Sequence, residues 1–416
     1  MPCVEPEPRG SVLAVVMSDS RLNLLAPEFR VNPYPFFAEL RRRPTLTQMD
    51  PGGFWAVTRY ADVQHVFKNP QLFSSTGQRI FAEPAWLGRA NPFADSIVML
   101  DPPKHTRLRA LVNRAFGPSA LARLEPRVRA YAQAAAAELP VGRPVDFVQE
   151  FALRVPAAVI GELLGLEASL HSRFKAWSDD IVNTSSTPPD AHEWHARIRA
   201  TYAEMEQYLR GVIEDRRRHP REDMVSDLIA ARVDGEALSD TDLLGFLFLL
   251  LVAGLETTVH LLGHAAIVLS EHPELVARLR ADRSKLPAFI EEVLRYEPPA
   301  QSLLRITTTD TELGGTRLPA GSLLMVLLGS ANRDEAHFSE PDRFDMDRPG
   351  PQNMPFGHGV HFCLGAPLAR LEARVALEAL LDRCGGLKRE GPVQWNQSIV
   401  VRGPAVLPLS LQPAQR

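Results

Sequence analysis

Four short stretches of this 416-residue chain carry residue types that can do chemistry. In "FGHGVHFCLG" (356–365), Cys363 stands between Gly359 and Gly365, and glycine is favoured where the backbone turns sharply or approaches another group closely. A helical pattern, "APLARLEARVALEALLDRC", starts just after it at about Pro367, so the thiol faces the positive end of a helix and its unpaired N–H groups. That setting stabilises a thiolate, suited to metal ligation or to nucleophilic attack. A lone cysteine is otherwise an ordinary small buried hydrophobe. In "AGLETT" (253–258), two small residues, a leucine, an acid and two hydroxyls interrupt the most apolar run of the chain. Threonines there can also simply bond back to the preceding turn. "EEVLR" puts Glu292 and Arg295 on one helix face, the spacing of a buried cluster or of a plain solvated pair. "DPPKHTRLR" (101–109) opens a helix with His105 and Arg109 on one side.

The elements that must carry these residues are mostly helical. "SDTD" (239–242) offers N-caps for a long helix through Glu271, stopped by "HPE" (272–274). Helical patterns run from Lys104 to Tyr296, broken by the turn-rich "NTSSTPPD" (183–190) and "RRRHPRED" (216–223). "FWAVTRY" (54–60) and "SLLMVLL" (322–328) read as strands. The expected fold class is therefore mainly α with small β-sheets, without the strand–helix alternation of a doubly wound fold. Residues 1–21 read as a disordered N-terminal tail, in which Met17 is a second possible start, and 22–416 as one two-lobed domain.

Composition narrows the function classes. The net charge is −4 and no basic residues interleave with aromatics, which argues against nucleic-acid binding. Cys3, Cys363 and Cys384 are too few and too scattered for a disulfide framework, so a reducing cytoplasm is expected. The run "LLGFLFLLLVAGL" (243–255) is too short to span a bilayer and meets Glu256, which makes it a core helix rather than a membrane anchor. His260 and His264 follow Glu256 at steps of four. That spacing permits a non-haem metal site, and equally describes polar residues facing neighbouring helices.

Taken together, the motifs resemble the cytochrome P450 family, the haem-thiolate monooxygenases of the soluble bacterial type, over roughly Leu22 to Leu411. Phe356, Gly359, Cys363 and Gly365 match the family's FxxGxxxCxG loop, Glu292 and Arg295 its ExxR, and Arg343 in "PDRFD" the arginine that completes that triad. "AGLETT" matches its oxygen-activation segment. The resemblance implies haem b with Cys363 as axial iron ligand, a thiolate that favours O–O cleavage. It implies His105, Arg109, Arg305 and His361 as partners of the haem propionates, and Phe356 as packing beside the sulfur. Ala253 and Gly254 would let the long helix approach the iron. Glu256 and Thr257 would form the acid–alcohol pair that delivers protons, although many relatives carry Asp where Glu256 stands.

The resemblance further implies a monomeric enzyme that inserts one atom of O₂ into a hydrophobic small molecule of fatty-acid, polyketide or terpenoid type. The chain has no GxGxxG fingerprint for a flavin or nicotinamide, so a separate ferredoxin and ferredoxin reductase are expected as electron donors. Arg107, Arg114 and Arg370 are candidate docking residues for the ferredoxin. An H₂O₂-driven peroxygenase and a haem gas sensor are the alternatives, and the Glu256–Thr257 pair weighs against both. The expected pocket comprises Phe81, Trp86, Phe93, Ile97 and Val98, then Trp177 and Ile181, with Val252, Leu303, Ile399 and Val400 as remaining walls. Arg79 and Arg89 are candidate anchors for a substrate carboxylate, and 183–190 is the expected polar lid.

Overall fold

The computed structural model describes residues 21–187, 190–233, 235–350 and 352–414, except for the side chains at positions 81, 114, 115, 168, 171 and 185. Of the expected tail, 1–20 lie outside the described residues, whereas Arg21 already opens a strand, Arg21–Asn23, that pairs in parallel with Thr47–Asp50. Eight helices frame the region of interest: α1 (Lys104–Val112), α2 (Pro118–Glu138), α3 (Arg154–Leu164), α4 (His171–Asn183), α5 (His192–Arg218), α6 (Asp240–Glu271), α7 (Leu286–Tyr296) and α8 (Ala366–Arg383).

Helix α6 is the axis of the molecule. The Ser239 side chain caps it by accepting from the Asp242 N–H, and Asp240 and Asp242 complement its positive end. Its 32 residues pack against α3, α4, α7 and α8. It is long and apolar enough to cross a membrane, but most of its apolar stretch is buried inside the protein. An apolar surface on every side is what a central helix needs. Gly245 lets it press on the 92–96 segment, where a Cβ would lie 2.8 Å from the Pro92 carbonyl.

The sheets are small and lie to one side. The largest runs in the order 21–23, 47–50, 54–57, 323–327, 302–307, 73–74. Met325 pairs with Ala56 in parallel and with Leu304 in antiparallel register. Two apolar clusters sit on this sheet, one under Phe29, Phe36 and Phe37, the other under Val63, Phe67 and Phe73, apart from the main helical core. "FWAVTRY" is strand only as far as Val57; Tyr60 already starts a helix, and its N–H is taken by Asp334. The mainly helical class with small sheets is what the sequence predicts.

Candidate functional site: a cavity between the long helix and the cysteine loop

A cavity of about 380 Å³ lies between α6 and the loop that carries Cys363. Its floor is built by Phe356, Cys363, Leu364, Gly365, Leu368 and Ala369, and Val252, Ala253, Glu256 and Thr257 face it from α6.

The floor is held by backbone geometry. Gly357 and Gly359 adopt φ of 71° and 70°, and a Cβ at Gly359 would meet the Phe67 carbonyl at 2.5 Å, so no other residue fits. The Cys363 N–H donates to the Phe356 carbonyl at 3.0 Å, closing the loop. Gly365 has an ordinary φ and borders the cavity, and the place of its missing side chain is open space. Cys363 is exposed to the cavity, with protein packed densely on its other sides. Burial raises the thiol, and the N–H groups of Gly365 and Ala366 with the Arg109 charge pull it back without fully offsetting that rise. The helix N-terminus alone therefore does not make the thiolate; a cation above the sulfur must complete it.

Two arginines and two imidazoles lack an anion here; burial and the neighbouring arginines hold His105 and His361 below the usual imidazole value, so both rings are neutral until a counter-charge arrives. His105 is buried, and neither ring nitrogen has a hydrogen-bond partner among the described residues. It lies 4.1 Å from the ring of His361, whose Nε2 is 2.9 Å from the Ser75 hydroxyl. Arg305 is buried too, donates among the described residues only to the Leu304 carbonyl, and stacks 5.3 Å from Phe67. Burial lowers it to about 10. Arg109 donates to the Val360 carbonyl at 3.2 Å. The nearby Asp101 is already occupied by the Ser75 N–H and the Ser74 hydroxyl. Buried charges of one sign need a counter-charge. A planar macrocycle with two carboxylates over an open floor and a soft sulfur meets that need, so the residues fit haem.

On α6, Thr257 donates its hydroxyl hydrogen to the Ala253 carbonyl at 2.6 Å, one turn back, and the helix continues unbroken. Ala253 is open to the cavity. Gly254 borders it, but the space left by its missing side chain is filled by Ile160 of α3, 2.6 Å from where a Cβ would sit. Glu256 is 2 % exposed; its Oε1 lies 3.2 Å from Lys175 Nζ of α4 and its Oε2 3.3 Å from His260 Nε2. Burial raises this carboxyl, Lys175 pulls it down, and it rests at about 7. Asp179 pairs with Lys175 from the outer side. His264 turns away towards Trp395, so Glu256, His260 and His264 do not converge, and no three metal-ligating side chains do among the described residues.

Several expected positions lie elsewhere. Arg343 does not complete the ExxR cluster with its side chain, which is exposed and pairs with Glu340 and Asp345. Arg348 occupies that place: its Nε lies 3.3 Å from Glu292 Oε1. The guanidinium of Arg295 grips both oxygens of Glu292 at 2.7 and 2.8 Å. Arg343 contributes only its carbonyl, to Arg295 and to Arg348. Of the expected pocket, Phe93, Ile97, Val98, Ile181, Val252, Leu303 and Val400 line the cavity. Trp86 instead stacks on His195 at 4.2 Å. Trp177 is buried between Phe174 and Tyr208 of α5 and does not line the cavity. Ile399 points to the second apolar cluster, next to Leu24 and Phe29. Ile399 and Val400 lie in a bend whose Ser398 hydroxyl accepts from the Val400 and Val401 N–H groups, and the chain turns between the two side chains. The side chain of Phe81 lies outside the described residues, as does that of Arg114.

Neither carboxylate anchor reaches the cavity. Arg79 is spent on Glu83 and Asp95, and Arg89 on Glu206. Of the docking candidates, Arg107 pairs with Glu236, and Arg370 pairs with Glu291 while stacking 4.6 Å from Phe356. The lid is anchored where it leaves α4, since Thr184 and Thr187 donate to the Asp180 and Asn183 carbonyls; positions 188 and 189 lie outside the described residues.

Lys175 and Glu372 escaped the sequence reading, because a lysine in a polar-faced helix and an acid in "LARLEARV" look like surface residues. Glu372 is buried beside the cavity, and burial pushes it up to about 8. It therefore keeps a proton in the folded state that the unfolded chain has lost above about 4.5. Its contribution to stability is full below that value and is lost as pH rises towards 8. Glu372→Gln should flatten this loss, leaving the variant more stable than the parent above pH 8 by on the order of 3 kcal/mol. Thermal unfolding across that pH range reads it.

Comparison with known proteins agrees with this geometry. The cytochrome P450 family model matches residues 28–393. The vitamin D(3) 25-hydroxylase of Pseudonocardia autotrophica is 37% identical over 94% of this chain and 96% of its own. The structure of a cytochrome P450 from Chondromyces apiculatus is 43% identical and covers 95% of this chain and all of its own, with a TM-score of 0.86. That of a Bacillus megaterium P450 in complex with testosterone is 34% identical over 93% of this chain and 99% of its own, with a TM-score of 0.84. With the cysteine loop, the orphaned cations and the acid-bearing central helix in one cavity, the chain belongs to the cytochrome P450 family of haem-thiolate monooxygenases.

Proposed function

We propose that this enzyme hydroxylates or epoxidises a bulky, uncharged, lipophilic molecule, with b-type haem on Cys363 and electrons from a separate cytoplasmic ferredoxin and its reductase. The carrying observation is the wall of the cavity above the floor: Phe93, Ile97, Val98, Ile181, Val252 and Leu303 are apolar, and the two nearby arginines are tied to carboxylates. A buried substrate carboxylate would find no free cation on that wall among the described residues and would be costly to desolvate. This shifts the expected substrate away from fatty acids and towards polyketide or terpenoid scaffolds. The testosterone held by the Bacillus megaterium relative and the name of the Pseudonocardia hydroxylase point the same way.

Haem, when bound, supplies oxygen activation. The chain's own residues do the rest. Cys363 would hold the iron, and His105, Arg109, Arg305 and His361 would take the propionates. Phe356, stacked under Arg370, keeps water from the sulfur. Thr257 spends its hydroxyl hydrogen on Ala253, leaving its oxygen lone pairs free to accept a hydrogen bond in the cavity. Glu256, one residue earlier, is the nearest titrating group poised close to neutrality, which suits it to proton transfer.

A ligand panel tests this reading. Neutral steroids and macrolides should shift the haem Soret band at micromolar levels, and long-chain fatty acids about tenfold more weakly. The best ligand should be oxidised with ferredoxin, ferredoxin reductase and reduced nicotinamide. Preference for the fatty acids, or turnover with H₂O₂ alone, overturns it.

A further inference from the structure

Among the described residues that border the cavity, only Gln78 has an amide side chain. It ends the one-turn helix Ser75–Gln78, which the Ser74 side chain caps by accepting from the Thr76 N–H. The turn is pinned on two sides. Asp101 accepts from the Ser75 N–H at 2.8 Å, and a Cβ at Gly77 would lie 2.9 Å from the Arg305 backbone. Gln78 is 8 % exposed and turns inward, while the next residue, Arg79, reaches away to Glu83 and Asp95.

The two ends of the Gln78 amide are in different positions. Nε2 donates to the Val98 carbonyl at 2.6 Å, so turning the amide over would set two acceptors against each other. Oε1 accepts no hydrogen bond among the described residues, and protein does not close it off from the cavity. Two hydroxyls of the same cavity are already spent. Ser302 donates to the Ile399 carbonyl at 3.0 Å. Tyr202 lies 3.5 Å from the Thr184 hydroxyl, whose own hydrogen goes to the Asp180 carbonyl. Gln78 thus offers an open acceptor beside the apolar Phe93, Ile97 and Val98, and a few placed polar groups in an apolar pocket are what orient a ligand.

We propose that Gln78 determines specificity by accepting a hydrogen bond from a hydroxyl group of the substrate, which makes the substrate a lipophilic alcohol. This rests on the lipophilic reading of the cavity given above and narrows it. A hydroxyl donates into Oε1. A ketone or an ether sets lone pair against lone pair there, and a bare hydrocarbon covers a buried acceptor without satisfying it. A site built to bond a hydroxyl discriminates against the analogue that lacks one. Holding the scaffold at one point also limits which of its carbons can lie over the cavity floor.

Soret titrations of the holoprotein with androstane, and with its alcohols and ketones at either end of the skeleton, test this. In the parent protein one alcohol should bind about tenfold tighter than the ketone at the same place. Gln78→Met keeps the length of the side chain and removes the acceptor. It also frees the Val98 carbonyl, which alters the affinity for every ligand alike, so ratios are read. The alcohol-to-androstane affinity ratio should fall about tenfold in Gln78→Met, the ketone-to-androstane ratio should not fall, and the products from the alcohol should spread over more positions. Equal affinity for alcohols and ketones in the parent overturns the proposal without any variant. So does an alcohol ratio that Gln78→Met leaves unchanged, or a ketone ratio that falls with it; each of these leaves the lipophilic reading in place. No Soret response to any of the steroids removes both.

Discussion

Cys363→Ser should abolish the strongly red-shifted Soret band of the reduced carbonyl complex and all measurable turnover, while Cys384→Ser keeps both. The two thiols sit in opposite settings. Cys363 stands on the floor of the cavity with two backbone N–H groups and the Arg109 charge directed at its sulfur. Cys384 is fully buried at the end of α8, and its thiol donates to the Leu380 carbonyl at 3.4 Å. Serine at 363 offers a hard, weakly acidic oxygen in place of a soft thiolate, so the electron push that favours O–O cleavage is lost. A red-shifted band that survives in Cys363→Ser would remove this cysteine from the iron.

The second large effect is on stability. Arg295 is 1 % exposed and spends its donors on the two oxygens of Glu292 and on the carbonyls of Asn332, Pro341 and Arg343. Arg295→Leu leaves a buried carboxylate and several carbonyls without a partner, and should cost about 3–5 kcal/mol. Arg348→Ala should cost about half as much, since its guanidinium also joins Glu292 to the Ser339 and Glu340 carbonyls. Arg343→Ala should cost less than about 1 kcal/mol, because its ion pairs are exposed. Urea unfolding of the three holoproteins orders them. Arg343→Ala equal to Arg295→Leu would return Arg343 to the cluster.

That contrast shows where sequence reasoning reached and where it stopped. The cap at Ser239, the length of α6 and the helix after Cys363 were legible, because each depends on local signals within one turn. The bond from Thr257 to Ala253 was legible for the same reason. Arg343 and Arg348 lie five residues apart in a stretch without regular structure, where no periodicity says which guanidinium points inward. Trp177 and Ile399 were misassigned for a related reason: apolar character marks a residue as buried, not which of several apolar spaces receives it. Lys175 was invisible because its partner, Glu256, lies 81 positions further along the chain. The face of α4 that meets α6 is set only by packing.

The grip of Arg295 and Arg348 on the 332–345 stretch runs through main-chain atoms: the carbonyls of Asn332, Ser339, Glu340, Pro341 and Arg343, and the Asp345 N–H that reaches Glu292. Every residue type offers a carbonyl, and all but proline offer an N–H. The clamp thus reads the path of the chain and is indifferent to its spelling. The exposed side chains at Ser339, Glu340 and Arg343 are free to drift over generations while the floor of the cavity stays in place, provided the number of residues is kept and no proline enters at position 345; the buried Asn332, Arg333, Asp334 and Phe338 are held by contacts of their own.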